Sequence, residues 1–150
     1  MTGRAPNNPA HRIPIPMSDA APLLTTVSCP VPAATLAADA EHNLAVAPFT
    51  GSINAASYIP DTTLTGADTN SRTLTLVNKG QAGAGTTIVA TKAFTAAINA
   101  PADDETALTL SGNAANLLVN AGDVLAWQST HIGTGLADPG GLAKIQFLRS

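Results

Sequence analysis

Residues 142–148 read Leu-Ala-Lys-Ile-Gln-Phe-Leu, and their alternation decides the fold class. One parity carries Leu142, Lys144, Gln146 and Leu148; the other carries Ala143, Ile145 and Phe147. Successive side chains of a strand point to opposite faces, so this order buries one row and leaves the other on a surface. The same period of two recurs in Arg72-Thr-Leu-Thr-Leu-Val-Asn78 and in Thr106-Ala-Leu-Thr-Leu-Ser111. With the shorter apolar runs, strands are predicted at 23–29, 34–38, 44–48, 51–59, 72–78, 86–94, 106–111, 123–131 and 142–149. The separators are turn formers: Pro60-Asp61, Gly66-Ala-Asp68, Asn78-Lys-Gly80, Gly112-Asn113, Asn120-Ala-Gly122 and Asp138-Pro-Gly-Gly141. Short strands at this spacing predict an all-β protein, a jelly-roll-like β-sandwich of about eight strands. Residues 33–43 and 95–100 are alanine-rich enough for short helices. Isolated helices of that length are marginal, so strand and loop are retained there.

Upstream of residue 23 the chain changes character. Seven of the eleven prolines fall in residues 1–32. Each removes an N–H donor and pushes the residue before it toward extended backbone, which excludes a helix and a central strand. Residues 1–22 are therefore predicted to be an extended proline-rich arm, and residues 23–150 the β-sandwich domain. At ~3.1 Å per residue such an arm reaches roughly 70 Å. Within it, Ile13, Ile15 and Met17 alternate with Pro14 and Pro16, and Arg4 and Arg12 face Asp19 as the sole acid.

Composition narrows the function classes. Of 150 residues, 29 are Ala and 19 Thr, while aromatics are 3% and charged residues 11%. Seven Lys/Arg against ten Asp/Glu give a net charge of −3, with no basic stripe to neutralise phosphates, which argues against a nucleic-acid partner. A single cysteine, Cys29, excludes an internal disulfide framework and multi-cysteine metal sites. No apolar run approaches the ~18 residues of a membrane span, and prolines break every stretch that could serve as a signal core. A soluble chain with no membrane partner is expected. Fifteen Leu, eight Ile, seven Val and five aromatics make a lean core. Flat Ala/Thr faces and weak charge repulsion suit contact between copies, so stabilisation partly by association is expected.

The residues that could carry chemistry have simpler readings. Asn78-Lys-Gly-Gln-Ala-Gly-Ala-Gly-Thr86 is glycine-rich, but its lysine precedes the glycines and a strand follows, which is not the phosphate-binding order. It reads as a hairpin tip. Asp103-Asp-Glu105 lacks calcium-loop spacing and reads as a solvated turn. His11, His42 and His131 are scattered, and Ser129, His131 and Asp138 lack the strained serine turn that a nucleophile requires. Cys29 reads as a small buried thiol and Trp127 as a core or interface anchor. No catalytic residue, metal ligand or cofactor site is predicted, and the protein is not expected to be an enzyme.

From about Val46 to Leu148 the sequence resembles the decoration, or cement, proteins of tailed-bacteriophage capsids. The likeness is carried by Ala47-Pro-Phe-Thr-Gly-Ser-Ile53, Tyr58-Ile-Pro-Asp61, Thr65-Gly-Ala-Asp-Thr-Asn70 and Leu76-Val-Asn-Lys-Gly-Gln-Ala-Gly-Ala-Gly-Thr86. It continues through Ala121-Gly-Asp-Val-Leu-Ala-Trp127 and Gly133-Thr-Gly-Leu-Ala-Asp-Pro-Gly-Gly141. The resemblance implies a β-sandwich on the outer surface of a virion head, commonly a homotrimer, in contact with the major capsid protein. The arm has no counterpart in that pattern. Its expected role as a latch is a physical reading, with Ile13, Ile15 and Met17 entering a groove on a neighbour and Arg4 and Arg12 meeting acidic side chains. Two alternatives fit the same composition: a tail or fibre appendage, and a carbohydrate-binding sandwich with Tyr58 and Trp127 as the rings for stacking.

Overall fold

The computed structural model describes residues 23–150 of the chain; the predicted arm, with Arg4, Arg12, Ile13, Ile15 and Met17, lies outside the described residues. Ten strands follow one another: β1 (Leu24–Val31), β2 (Ala40–Val46), β3 (Gly51–Pro60), β4 (Ser71–Gly80) and β5 (Thr87–Phe94), then β6 (Thr106–Ala107), β7 (Thr109–Leu110), β8 (Leu118–Val119), β9 (Val124–Ile132) and β10 (Gly141–Arg149). They form two antiparallel sheets. The first has the order β1-β10-β3-β6, with β8 also on β3, and the second β2-β9-β4-β5-β7. The late strands β10 and β9 lie between the early pairs β1/β3 and β2/β4, which is the wrapped order of a jelly roll. The predicted all-β sandwich is the observed fold.

The alternation in residues 142–148 is realised as read. Ala143, Ile145 and Phe147 are fully buried, whereas Leu142, Lys144, Gln146 and Leu148 line the outer face. Across the interior, Ile53, Ala56 and Tyr58 of β3 meet Leu74 and Leu76 of β4, Val89 and Phe94 of β5, and Leu125 and Trp127 of β9. Tyr58 and Trp127 stack between the sheets with ring centroids 5.8 Å apart. Phe49 meets Phe147 edge-on at 6.3 Å, and the Arg149 guanidinium lies over the Phe49 ring, 4.9 Å from its centroid.

Four local expectations are corrected. Residues 34–38 form no strand: Ala34 makes an isolated bridge with Asp138, and Ala37 turns the chain at φ 53°. The strand predicted at 44–48 lies earlier, as β2 over Ala40–Val46, where Glu41 and Asn43 face outward while Leu44 packs against the core. The predicted strand 106–111 is split. Leu108 plunges into the core and its N–H donates to Ala56, so β6 stays on the first sheet and β7 crosses to the second. No element is predicted over residues 114–119, yet a 3₁₀ turn (Ala114–Leu117), capped by Asn113 Oδ1 on Ala115 N–H, leads into β8. Strands of two residues carry too little alternation to be seen in sequence.

β1 ends the first sheet. Arg149 N–H donates to the Leu23 carbonyl at 3.1 Å in register with the Leu24/Leu148 pair, so the odd positions of β1 bond to β10 and the even positions face away. Pro30 occupies an even position, where its missing N–H costs no ladder bond.

Replacing Phe147 with Ala is expected to lower the unfolding free energy by ~3–5 kcal/mol. Gln146→Ala, one residue away on the outer face, should change it by less than about 0.5 kcal/mol. Urea denaturation of the two variants measures the contrast.

Candidate functional site

The polar centre of the molecule is built around Arg72, which is fully buried. Arg72 shares parity with Leu74 and Leu76 on β4, so the strand itself turns it inward. Its guanidinium meets the loops at one end of the sandwich. Nε donates to the Leu136 carbonyl, Nη1 to the Ala38 carbonyl at 3.1 Å, and Nη2 to the Thr35 carbonyl at 3.0 Å. Nη1 also donates to Ser129 Oγ at 2.9 Å, and Ser129 Oγ donates onward to Asp138 Oδ2 at 2.8 Å. The other oxygen of Asp138 accepts from Gly140 N–H at 3.1 Å and lies 2.7 Å from Tyr58 Oη. Tyr58 Oη is equally close to the Gly140 carbonyl, so its one proton is shared between two acceptors. A buried cation and a buried carboxylate are thus joined through a hydroxyl, and every strong acceptor is occupied.

This geometry assigns Ser129, His131 and Asp138 to structure. Ser129 Oγ gives its proton to Asp138 and accepts from Arg72, so it has no contact with a base. His131 turns instead to Asp39, with Nδ1 2.7 Å from Oδ1, and the Asp39 carboxylate also accepts the His131 backbone N–H. That backbone bond, then the ring bond, hold the Asp39 carboxyl below its usual range. A nucleophile–base–acid relay needs the base between the other two. Here it lies outside them.

The remaining sequence candidates fall where their simpler readings placed them. Gln81, Ala82 and Gly83 form the tip of the β4–β5 hairpin. Asp103 and Asp104 are exposed in the turn before β6, while Glu105 reaches back to the first sheet. Cys29 is a free, half-buried thiol that faces inward from β1, less enclosed than expected, and desolvation pushes its pKa up. Tyr58 and Trp127 are both fully buried. Neither ring offers a face to a sugar, which removes the stacking platform of the carbohydrate-binding alternative.

Two surfaces frame the core. On the outer face of the first sheet, the register sets Leu24, Leu148, Ser52 and Leu118 in one row, and Pro30, Leu142 and Ile59 in another. Leu24 is 48%, Leu118 61% and Leu142 43% exposed. Between the rows lies one ion pair: Glu105 accepts from Lys144 Nζ at 2.5 Å and from Ser57 Oγ at 2.7 Å. These bonds, Lys144 first, hold the Glu105 carboxyl below its usual range. The outer face of the second sheet is threonine-rich instead, with Gln128, Thr75, Thr91 and Thr109 aligned across it and Thr75 Oγ1 3.2 Å from Thr91 Oγ1. Its shallow depression is lined by Asp39, Ala40, Glu41, Gln128 and Thr130, where Glu41 accepts from Gln128 and Lys79. Comparison with protein-family models, with curated proteins and with solved structures finds no match.

Two signals in the sequence could have located the polar centre. Arg72 has the parity of a core residue, and Asp138 sits in a turn rich in glycine, where a buried carboxylate finds backbone N–H donors. The partnership of Ser129 and Tyr58 with them is a product of the tertiary fold.

Asp138→Ala is expected to cost ~3–5 kcal/mol of stability, because it leaves the Arg72 charge buried without its counter-charge. Tyr58 gives a pH test, since it is the one tyrosine of the chain. Burial, and then the bond to Asp138, push its hydroxyl above the usual phenol range. Above about pH 10 the unfolded chain loses a proton that the folded chain keeps, so stability falls as pH rises. Tyrosinate absorbance at 295 nm should therefore appear only together with unfolding, and Tyr58→Phe should flatten the alkaline slope.

Proposed function

We propose that this protein is a structural component of a tailed-bacteriophage head, bound to the outer surface of the capsid, where it bridges subunits of the major capsid protein. The observation that supports this reading best is the outer face of the first sheet. Exposed leucines stand there in two rows with a single ion pair between them, on the sheet whose edge strand β1 follows directly on the proline-rich arm. Each leucine buried against a partner contributes ~1.5–3 kcal/mol. An apolar, weakly charged face on a rigid sandwich suits repeated lateral contacts on a shell, and it suits no reaction.

The arm completes the proposal as a latch. Ile13, Ile15 and Met17 supply apolar anchors, and Pro14 and Pro16 limit the entropy lost when the segment is ordered, which otherwise costs ~1–2 kcal/mol per residue. Arg4 and Arg12 add pairs with acidic capsid side chains worth ~0–1 kcal/mol each. In a homotrimer three arms act together, and effective concentration multiplies modest contacts into firm attachment. Carbohydrate binding at Tyr58 and Trp127 is not carried further, because both rings lie in the core.

The test adds the purified protein to undecorated heads and follows retention through washing, with electron microscopy to place it. The full chain should stay on the head surface. Deleting residues 1–22 should release it on washing, and Leu142→Lys should weaken retention about tenfold or more by placing a charge in the apolar contact. Retention of both variants at the level of the full chain, or a label found on tails, overturns the proposal.

A further inference from the structure

The outer face of the first sheet has the order that contact with its own copy requires. Along β10 it reads Leu142, Lys144, Gln146, Leu148: apolar, polar, polar, apolar. The register carries that order onto the neighbouring strand. Leu24 and Pro30 stand at the two ends of β1, with Thr26 and Ser28 between them, while Ala55 and Ser57 of β3 continue the two middle rows. Read from either end, the chemistry is the same. An isologous interface is generated by a two-fold axis, so it needs a surface that matches itself after half a turn. A partner of a different kind makes no such demand.

An axis in the plane of the sheet, across the strands and between the two middle rows, satisfies this order. It sets β10 of one copy antiparallel over β10 of the other. Leu148 then lies over Leu142 of the second copy, and Leu24 over its Pro30. The small side chains of Thr26, Ser28, Ala55 and Ser57 leave room between the sheets for the longer Lys144 and Gln146. Lys144 comes over Gln146 of the second copy and not over its lysine. The Lys144 charge is neutralised within its own chain by Glu105, 2.5 Å away. An ammonium has three donors, so another of them can meet the glutamine carbonyl.

Size agrees with this assignment. Four strands abreast, about 4.8 Å apart, and the nine residues of β10 at about 3.3 Å each give a face of roughly 600 Å². Two such faces together bury about 1,200 Å², the lower limit of specific protein contacts. Leu24, Leu118 and Leu142, all exposed in the single chain, supply its apolar part. We infer that the free protein forms a two-fold dimer closed through the outer face of the first sheet. A contact of that size is reversible, so monomer and dimer exchange in the micromolar range. The inference concerns the protein in solution and does not rest on the decoration reading, in which the capsid surface takes the place of the second copy.

Sedimentation velocity of the full chain tests it. Between about 1 and about 100 µM the mass should rise from 15.0 kDa to twice that value and no further. Leu142→Lys and Leu148→Glu each set a charge against a leucine of the second copy and should raise the dimer Kd about tenfold or more. The axis brings these two positions together across the contact, so the double variant should return to within about threefold of the original Kd. Thr109→Lys, on the outer face of the second sheet, should leave it unchanged. A chain still monomeric at about 100 µM, a trimer mass, or single variants without effect overturns the inference. So does a double variant as weak as the singles. Retention on heads is not measured in this experiment, so the dimer and the decoration proposal stand or fall separately.

Discussion

A guanidinium in the interior of a small sandwich is the constraint on which the rest of the structure turns. Arg72 is a fully buried cation, and an unpartnered charge there would cost about 3–5 kcal/mol of stability. The fold answers with three carbonyls, from Thr35, Ala38 and Leu136, and with the carboxylate of Asp138 reached through Ser129. Those partners come from the β1–β2 loop, from β9 and from the β9–β10 loop. One side chain thereby orders both loops at that end of the sandwich. The Ala34–Asp138 bridge then ties them to each other with bonds of 2.8 and 2.9 Å. Gly140 closes the arrangement: it turns at φ 77°, and a Cβ there would come within 2.9 Å of the Val31 carbonyl.

The wrapped topology explains why so lean a core suffices. With β10 between β1 and β3, and β9 between β2 and β4, the longest apolar rows occupy the centres of both sheets. Trp127, Tyr58, Phe94 and Phe147, four of the five aromatic residues, are fully buried there. Alanine fills the tight places: Ala56, Ala90, Ala126 and Ala143 are buried where sheets or loops press close. Large side chains are concentrated inside, which leaves outer faces made of threonine on one sheet and of two rows carrying exposed leucine on the other. The charged groups of the interior are committed to one another, and among the described residues the buried Trp127 Nε1 is the side-chain polar atom left without a partner.

Much of this was legible in the chain. Alternation in residues 72–78 and 142–148 identified central strands and the faces they bury, because a period of two is set by backbone geometry alone. The turn formers marked most boundaries for the same local reason. Short strands were not legible. Residues 106–111 read as one strand, and only the burial of Leu108 splits it between sheets. Residues 34–38 read as apolar and extended, but the carbonyls of Thr35 and Ala38 are claimed by Arg72, which bends them into a loop.

By itself, then, the sequence determined the class of fold, the inward rows, the proline-rich lead segment and the one cysteine that cannot form an internal disulfide. Those are properties of local stereochemistry and composition. Tertiary structure alone decided that Ser129 serves Asp138 and not His131, that Tyr58 and Trp127 are enclosed, and that β1 ends a sheet with its even positions unpaired. Each of these depends on which strands become neighbours, and that choice is made by burial and hydrogen-bond satisfaction across residues far apart in the chain.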